Sequence, residues 1–340
     1  MSVLEVINVT RDVTWLPWAV QYFFLIGLSA ACFFMSMRAS LSGRTDLARF
    51  GRLALIGALV CGLVAPVALL ADLHQPGRFW RFYAHPNLKS WMAWGAFFIP
   101  GYLGGLIVYA FAAWKPAPAL LRPAAWLTAV FAVLILLYTG MEVMVVRARP
   151  LWNTPLLPVQ FAVTAVTGAA GLVLVLDRLM RGHDAATERA AGRWLMASLS
   201  ATILVGALWF LLGVTNLDAT HAAALASVSG HEQWQMTALW AALATLVPLV
   251  LMWWKPVGLG WLAGLIGLHA AWMFRWTVFI GGQTVPKTGA GLYTYHLPLG
   301  HDGLAGIAGT FGLWVAALVV ISALLPADRA GRAPLSLLSE

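Results

Sequence analysis

Cysteine is nearly missing from this chain: two occur in 340 residues, Cys32 and Cys61, each inside an apolar run. Two thiols so placed exclude a disulfide framework. Nor can they by themselves build an iron–sulfur or zinc site, so any such centre belongs to a partner. Charge is scarce too, at 10% of residues against 61% hydrophobic ones and a mean hydropathy of +0.81. A soluble domain carries about a quarter charged residues, so the composition is that of a polytopic membrane protein. Histidine is thin where haem would need it. Membrane cytochromes take axial ligands from facing helices. Of eight histidines, however, only His269 lies well inside an apolar run, while His74, His85, His183, His221, His231, His296 and His301 fall between runs. No haem is expected, and His269 reads as a hydrogen-bonded core histidine. The net charge of +8 does not point to nucleic acid, because the basic residues are scattered singly and in pairs without a basic stripe. A small-residue cleavage site is lacking after the first apolar run, so no signal peptide is expected and the first span is a retained helix.

What the chain does have is a series of runs long enough to cross about 30 Å of hydrocarbon as helices. They fall at about 17–38, 50–71, 91–114, 123–146, 158–180, 194–214, 234–254, 258–281 and 303–325. The expected fold is therefore an all-α integral membrane protein with nine transmembrane helices in a single polytopic domain, and residues 326–340 form a short cytoplasmic tail. Only Lys255 and Pro256 separate the seventh run from the eighth. Alternate loops collect thirteen and eight Lys or Arg residues. By the positive-inside rule the N-terminus then faces out and the C-terminus in. With that orientation the unusual polar residues gather near the outer face, while the inner loops read as short, basic and featureless and the inner halves of the spans as apolar. A weak repeat relates AVQYFFLIGLSAA in the first span to PVQFAVTAVTGAA in the fifth at an offset of 139. Spans 1–4 and 5–8 thus read as two parallel four-helix units, with a ninth helix added.

The stretch 138–160, YTGMEVMVVRARPLWNTPLLPVQ, holds the residue most costly at bilayer depth, Glu142. A carboxylate there costs roughly 2.5–3.5 kcal/mol and usually lines a cavity or meets a partner. Tyr138 stands at i−4, on the same helix face. Glu142 is open to two readings: a structural ion pair with Arg275, or a carboxyl that handles protons or contacts a ligand. With Gln21, Tyr138 and Glu142 at one depth, an aromatic, partly polar pocket suited to a quinone ring is expected. The outer loop 71–95, ADLHQPGRFWRFYAHPNLKSWMAWG, mixes Asp72, His74, Arg78 and Arg81 with six aromatics. Part of this is an interfacial aromatic belt, but the size and mixed charge of the loop suit a docking surface or a lid. Asp72 is expected to pair with Arg78 or Arg81.

The blocks WLPWAVQYFF (15–24), ADLHQPGRFWRFYAHPN (71–87), SWMAWG (90–95), YTGMEV (138–143), ARPLW (148–152), RWTVFIGGQTVPK (275–287) and DGLAGIAGTFGLW (302–314) resemble the NrfD/PsrC family of quinol-interacting membrane subunits. Within it they are most similar to the nine-helix branch found in tetrathionate reductases. The resemblance implies a bacterial inner-membrane subunit with a periplasmic N-terminus that oxidises menaquinol or ubiquinol and binds menaquinone or ubiquinone. Electrons would pass to a four-cluster 4Fe–4S subunit and on to a molybdopterin catalytic subunit outside the membrane. This chain itself would carry no haem, iron–sulfur cluster, molybdopterin or other metal, and its remaining partner would be membrane lipid. The family's quinone contacts align with Gln21 and Tyr138, and the neighbouring Tyr22, His74 and Arg275 complete the expected quinone site. Glu142 and Tyr138 are the expected catalytic residues, and Asp72, Arg78, Arg81 and Gln283 the expected docking residues. The family's histidine in the first helix is Gln21 here, which can hydrogen-bond a quinone carbonyl but cannot take its proton. The proton then falls to Glu142 or His74. A proton-coupled transporter is the rival reading from another class, and a purely structural anchor would leave Glu142 without a purpose.

Overall fold

At bilayer depth no water satisfies backbone groups, so apolar runs of this length close their hydrogen bonds internally as helices. The computed structural model describes residues 13–115, 117–180, 182–287 and 292–325. The tail at 326–340 and Arg11, Arg181, Arg329 and Arg332 of the charge count lie outside them. Among the described residues there is no strand, and nine helices are long and apolar enough to span a membrane. They are α1 (Pro17–Leu41), α2 (Ala48–Asp72), α3 (Trp91–Trp114), α4 (Pro118–Met144), α5 (Leu156–Leu179), α6 (Ala185–Val214), α7 (Glu232–Trp254), α8 (Gly260–Trp276) and α9 (Leu304–Leu324). A π turn at Thr277–Gly281 and a last turn at Gly282–Thr284 extend α8.

Local chemistry explains where the helix ends depart from hydropathy. Pro17 and Pro118 occupy first-turn positions of α1 and α4, where a missing N–H costs nothing. α6 starts at Ala185 rather than near 194, because Asp184 caps it: its carboxylate accepts from the backbone N–H of Ala186 at 3.2 Å and of Thr187 at 3.0 Å. Between α6 and α7 lies an unforeseen helix, Ala219–Ser229, capped by Asp218. It carries His221, which is buried; its ring meets Thr154 Oγ1 at 2.9 Å and Asp218 Oδ1 at 2.7 Å. The hydrogen bond from His221 holds the Asp218 carboxyl below the usual carboxylate range.

α1 is the most buried span and packs on α2, α4, α5 and α8, whereas α6, α7 and α9 turn most of their surface to lipid. The pairings α1 with α2, α3 with α4 and α1 with α4 recur as α5 with α6, α7 with α8 and α5 with α8. We propose that this recurrence reflects the two parallel units of the weak repeat.

The inner half of the bundle is not the apolar, featureless region that was expected. One face of α1 sends Ser29 to the Tyr102 hydroxyl at 2.8 Å, and Ser36 and Ser40 to that of Tyr109 at 3.1 and 2.9 Å, tying α1 to α3. At the inner ends Arg49 donates to Asp177 at 2.6 Å, and His183 Nδ1 meets the other oxygen of Asp177 at 2.8 Å. The buried Glu188 carboxylate then accepts from the backbone N–H of Gly258 at 2.9 Å and of Gly260 at 2.7 Å. That clasp fixes the short turn between α7 and α8, where Gly258 has φ +103.

Candidate functional site

Two residues of the outer end of α4, Tyr138 and Glu142, meet Tyr22 of α1. Tyr22 and Tyr138 are buried, and the electrostatic neighbours of the Tyr138 phenol are Glu142 and Tyr22. Helix α3 makes room for that phenol at Gly95, where a Cβ would run into the Tyr138 ring. Phe98 stands edge-on to the same ring at 6.4 Å, and Trp94 stacks on Phe98 at 5.7 Å. On the other side Gly140 abuts Pro158 so closely that no Cβ would fit, which lets α4 lean against α5. The result is an aromatic-walled cluster whose oxygens are not all used. Tyr22 Oη and Glu142 Oε2 are buried with no hydrogen-bond partner among the described residues. Leaving such groups unpaired costs about 1–3 kcal/mol each, so they mark a place prepared for a polar visitor.

Asp72 connects the cluster to the outer face. It lies within electrostatic reach of Glu142 on one side and of His74 and Asp302 on the other. The expected ion pair with Arg78 or Arg81 does not form among the described residues. Asp72 instead accepts the Leu16 N–H at 3.2 Å, at the free N-terminal end of α1, while Arg78 donates to Gln75 at 2.8 Å and Arg81 lies over Trp80 at 5.8 Å. His74, Arg78 and Arg81 are exposed, as are Phe79, Trp80 and Tyr83 around them.

Gln21 is not gathered with Tyr138. Adjacent residues on a helix point about 100° apart. Tyr22 therefore faces α4, while Gln21 turns to α8, where Trp272 Nε1 donates to its Oε1 at 3.1 Å. Gln21 Nε2 is buried and unpartnered among the described residues. The ion pair between Glu142 and Arg275 does not form either. Arg275 is fully buried and donates to Thr164 Oγ1, to Ala271 O at 3.2 Å and to Phe161 O at 2.8 Å, with its guanidinium between the rings of Phe161 and Phe274. Gln283 has an internal role. Its Oε1 accepts from Thr14 N at 2.8 Å and Trp15 N at 3.1 Å, while its Nε2 donates to Trp15 O and Phe279 O, both at 2.9 Å. His269 is not a core histidine: it is exposed on α8, edge-on to Trp240 at 5.1 Å.

Two residues that sequence reasoning left as loop do structural work beside the site. Trp152 Nε1 donates to Val278 O in the π turn at 2.8 Å, and Arg149 donates to Gly282 O and Val285 O, both at 2.8 Å, while lying over the Trp152 ring at 4.9 Å. A tryptophan and arginine flanking a proline in ARPLW were the only signal. Among the described residues no group of three or more His, Cys, Asp or Glu side chains is placed to hold a metal ion.

The family described as polysulphide reductase, NrfD, matches residues 5–287 of this chain. The chain belongs to that family. Over 335 residues it is 38% identical to the membrane-subunit relative from Salmonella typhimurium, the C subunit of tetrathionate reductase, covering 93% of this sequence and 94% of that one. It is 24% identical over 199 residues to the C subunit of polysulfide reductase from Wolinella succinogenes, covering 52% of this sequence and 62% of the other. A third similar protein, the Hdr-like menaquinol oxidoreductase integral membrane subunit of Archaeoglobus fulgidus, is 25% identical over 293 residues, 80% of this sequence and 72% of that one. Nine apolar helices and membership of the NrfD family make this a multi-pass membrane protein.

Proposed function

We propose that this NrfD protein is the quinol-oxidising membrane subunit of a reductase complex. It takes electrons from menaquinol or ubiquinol near the outer face and hands them to an iron–sulfur subunit, for reduction of tetrathionate on a molybdopterin subunit. The observation that carries the reading is the pair of buried, unpartnered oxygens on Tyr22 and Glu142 beside Tyr138. A quinol head is a flat ring with a hydroxyl at each end, and an aromatic-walled pocket with orphaned oxygens is its chemical complement. The relatives' names lend support in kind: a tetrathionate reductase subunit along almost the whole sequence, and a menaquinol oxidoreductase membrane subunit along most of it.

Bound quinol would supply two electrons and two protons. Glu142 Oε2 is placed to take a proton, and the Tyr22 and Tyr138 hydroxyls to hold and orient a quinol oxygen. Asp72 stands next on the way out, and exposed His74 and Asp302 lie beyond it, so protons leave on the periplasmic side. Gln21, on the neighbouring flank of α1, has a free amide N–H for a carbonyl reaching that side. Electrons leave by the same face, where the loop 72–94 with Asp72, Arg78 and Arg81, and the segment following Gln283, form the docking surface for a four-cluster 4Fe–4S subunit. The transporter reading calls for helices broken near the midplane. The π turn of α8, however, lies at its outer end, held by Trp152 and Arg149.

The test is binding of a fluorescent hydroxyquinoline quinol analogue to the full-length protein in detergent. Quenching should saturate at one analogue per protein, and Tyr22→Phe combined with Glu142→Gln should weaken it at least tenfold, about 1.4 kcal/mol. Unchanged affinity in that double variant would move the site elsewhere.

A further inference from the structure

At the opposite end of the bundle a cavity of about 270 Å³ opens between α1, α2 and α6. Its wall has two parts. Arg38 in the last turn of α1, Arg44 in the turn that follows and Arg193 of α6 make one side; Leu47, Phe50, Ala190, Trp194 and Ala197 make the other. The charge is not neutralised within the protein. Arg44 pairs with Asp46 at 2.6 Å, and Asp46 also feels Arg193, but among the described residues neither Arg38 nor Arg193 has a carboxylate within ion-pair distance. Three guanidinium groups and one carboxylate leave a surplus of positive charge around a cavity at the ends of three membrane spans.

We propose that this cavity binds the phosphate headgroup of an anionic phospholipid from the arginine-rich leaflet. Guanidinium groups match phosphate oxygens in fork geometry, and basic pockets between spans at this depth suit acidic headgroups. The apolar side of the wall distinguishes a lipid from free phosphate. Phe50, Leu47 and Trp194 offer contact to the glycerol and first methylenes of a lipid, whereas an inorganic anion would leave them unused. The volume, close to the lower bound of ordinary ligand pockets, suits a headgroup rather than a whole lipid.

Delipidated full-length protein is titrated with phosphatidylglycerol, with phosphatidylethanolamine and with inorganic phosphate, and retention is read by native mass spectrometry. One phosphatidylglycerol should stay bound under activation that strips phosphatidylethanolamine. Arg38→Gln with Arg193→Gln should lower its retention about 30-fold, two arginines' worth of attraction to an anionic headgroup. Arg38→Lys with Arg193→Lys keeps the charge, and should retain more lipid than the Gln pair but less than the native protein; it also answers for the Gln pair should that fail to fold. Equal retention of both lipids, or native-like retention in the Gln pair, overturns the proposal. Displacement of phosphatidylglycerol by millimolar inorganic phosphate overturns it as well, because the site would then serve a free anion.

Discussion

Gly95 decides whether Tyr138 can face Glu142, because any side chain there would occupy the space of the phenol. Gly95→Val is therefore expected to destabilise the α3–α4 contact by about 1–3 kcal/mol, the usual cost of overpacking. It should also abolish binding of the quinol analogue, whereas Gly104→Val, with open space around it, should do neither; melting and quenching on the same samples decide this. At this scale the sequence was informative where electrostatics is extreme. A lone carboxylate in an apolar run, with a tyrosine one turn before it, announced the cluster. It was blind to rotation about the helix axis. Whether Gln21 faces α4 or α8 depends on packing that no local pattern encodes, and hydropathy does not separate a lipid-facing His269 from a core one, because lipid and core are equally apolar.

Among the elements, the spans were legible because bilayer thickness imposes their length, and the early start of α6 was missed because its first turns are polar. The least legible feature was the inner network, since its members, Arg49, Asp177, His183 and Glu188, are far apart in sequence and meet only after α2, α5 and α6 assemble. Asp177 is almost fully buried and serves both Arg49 and His183. Removing one member of a buried charged pair leaves the other uncompensated, at a cost of about 3–5 kcal/mol. Asp177→Asn should thus lower the melting temperature by on the order of 10 °C without changing quinol-analogue affinity. An unchanged melting temperature would show that water already screens the pair.

For the whole molecule, the two ends have different duties. The outer end carries the oxygen-lined cluster and an exposed loop rich in arginine and aromatics, residue types enriched at protein interfaces. The inner end carries the ion network and the arginine-lined cavity. Reversing charge at the outer loop with Arg78→Glu or Arg81→Glu should release the iron–sulfur partner into the soluble fraction while this subunit stays inserted. Arg189→Glu, exposed at the other end, should not. Release by the Arg189 change alone would place the partner on the opposite side of the membrane.

The central claim is that Glu142 receives a proton from quinol, and the pH-resolved turnover of the intact complex with Glu142→Gln tests it most directly. Glutamine keeps the shape and removes proton acceptance, and a positioned acid–base group contributes about 10²–10⁴-fold. Quinol-driven reduction of the terminal acceptor should therefore fall at least about 100-fold. Reduction driven by a soluble viologen donor, which bypasses this subunit, should persist. Quinol-driven turnover at the native rate across the pH range would contradict the account.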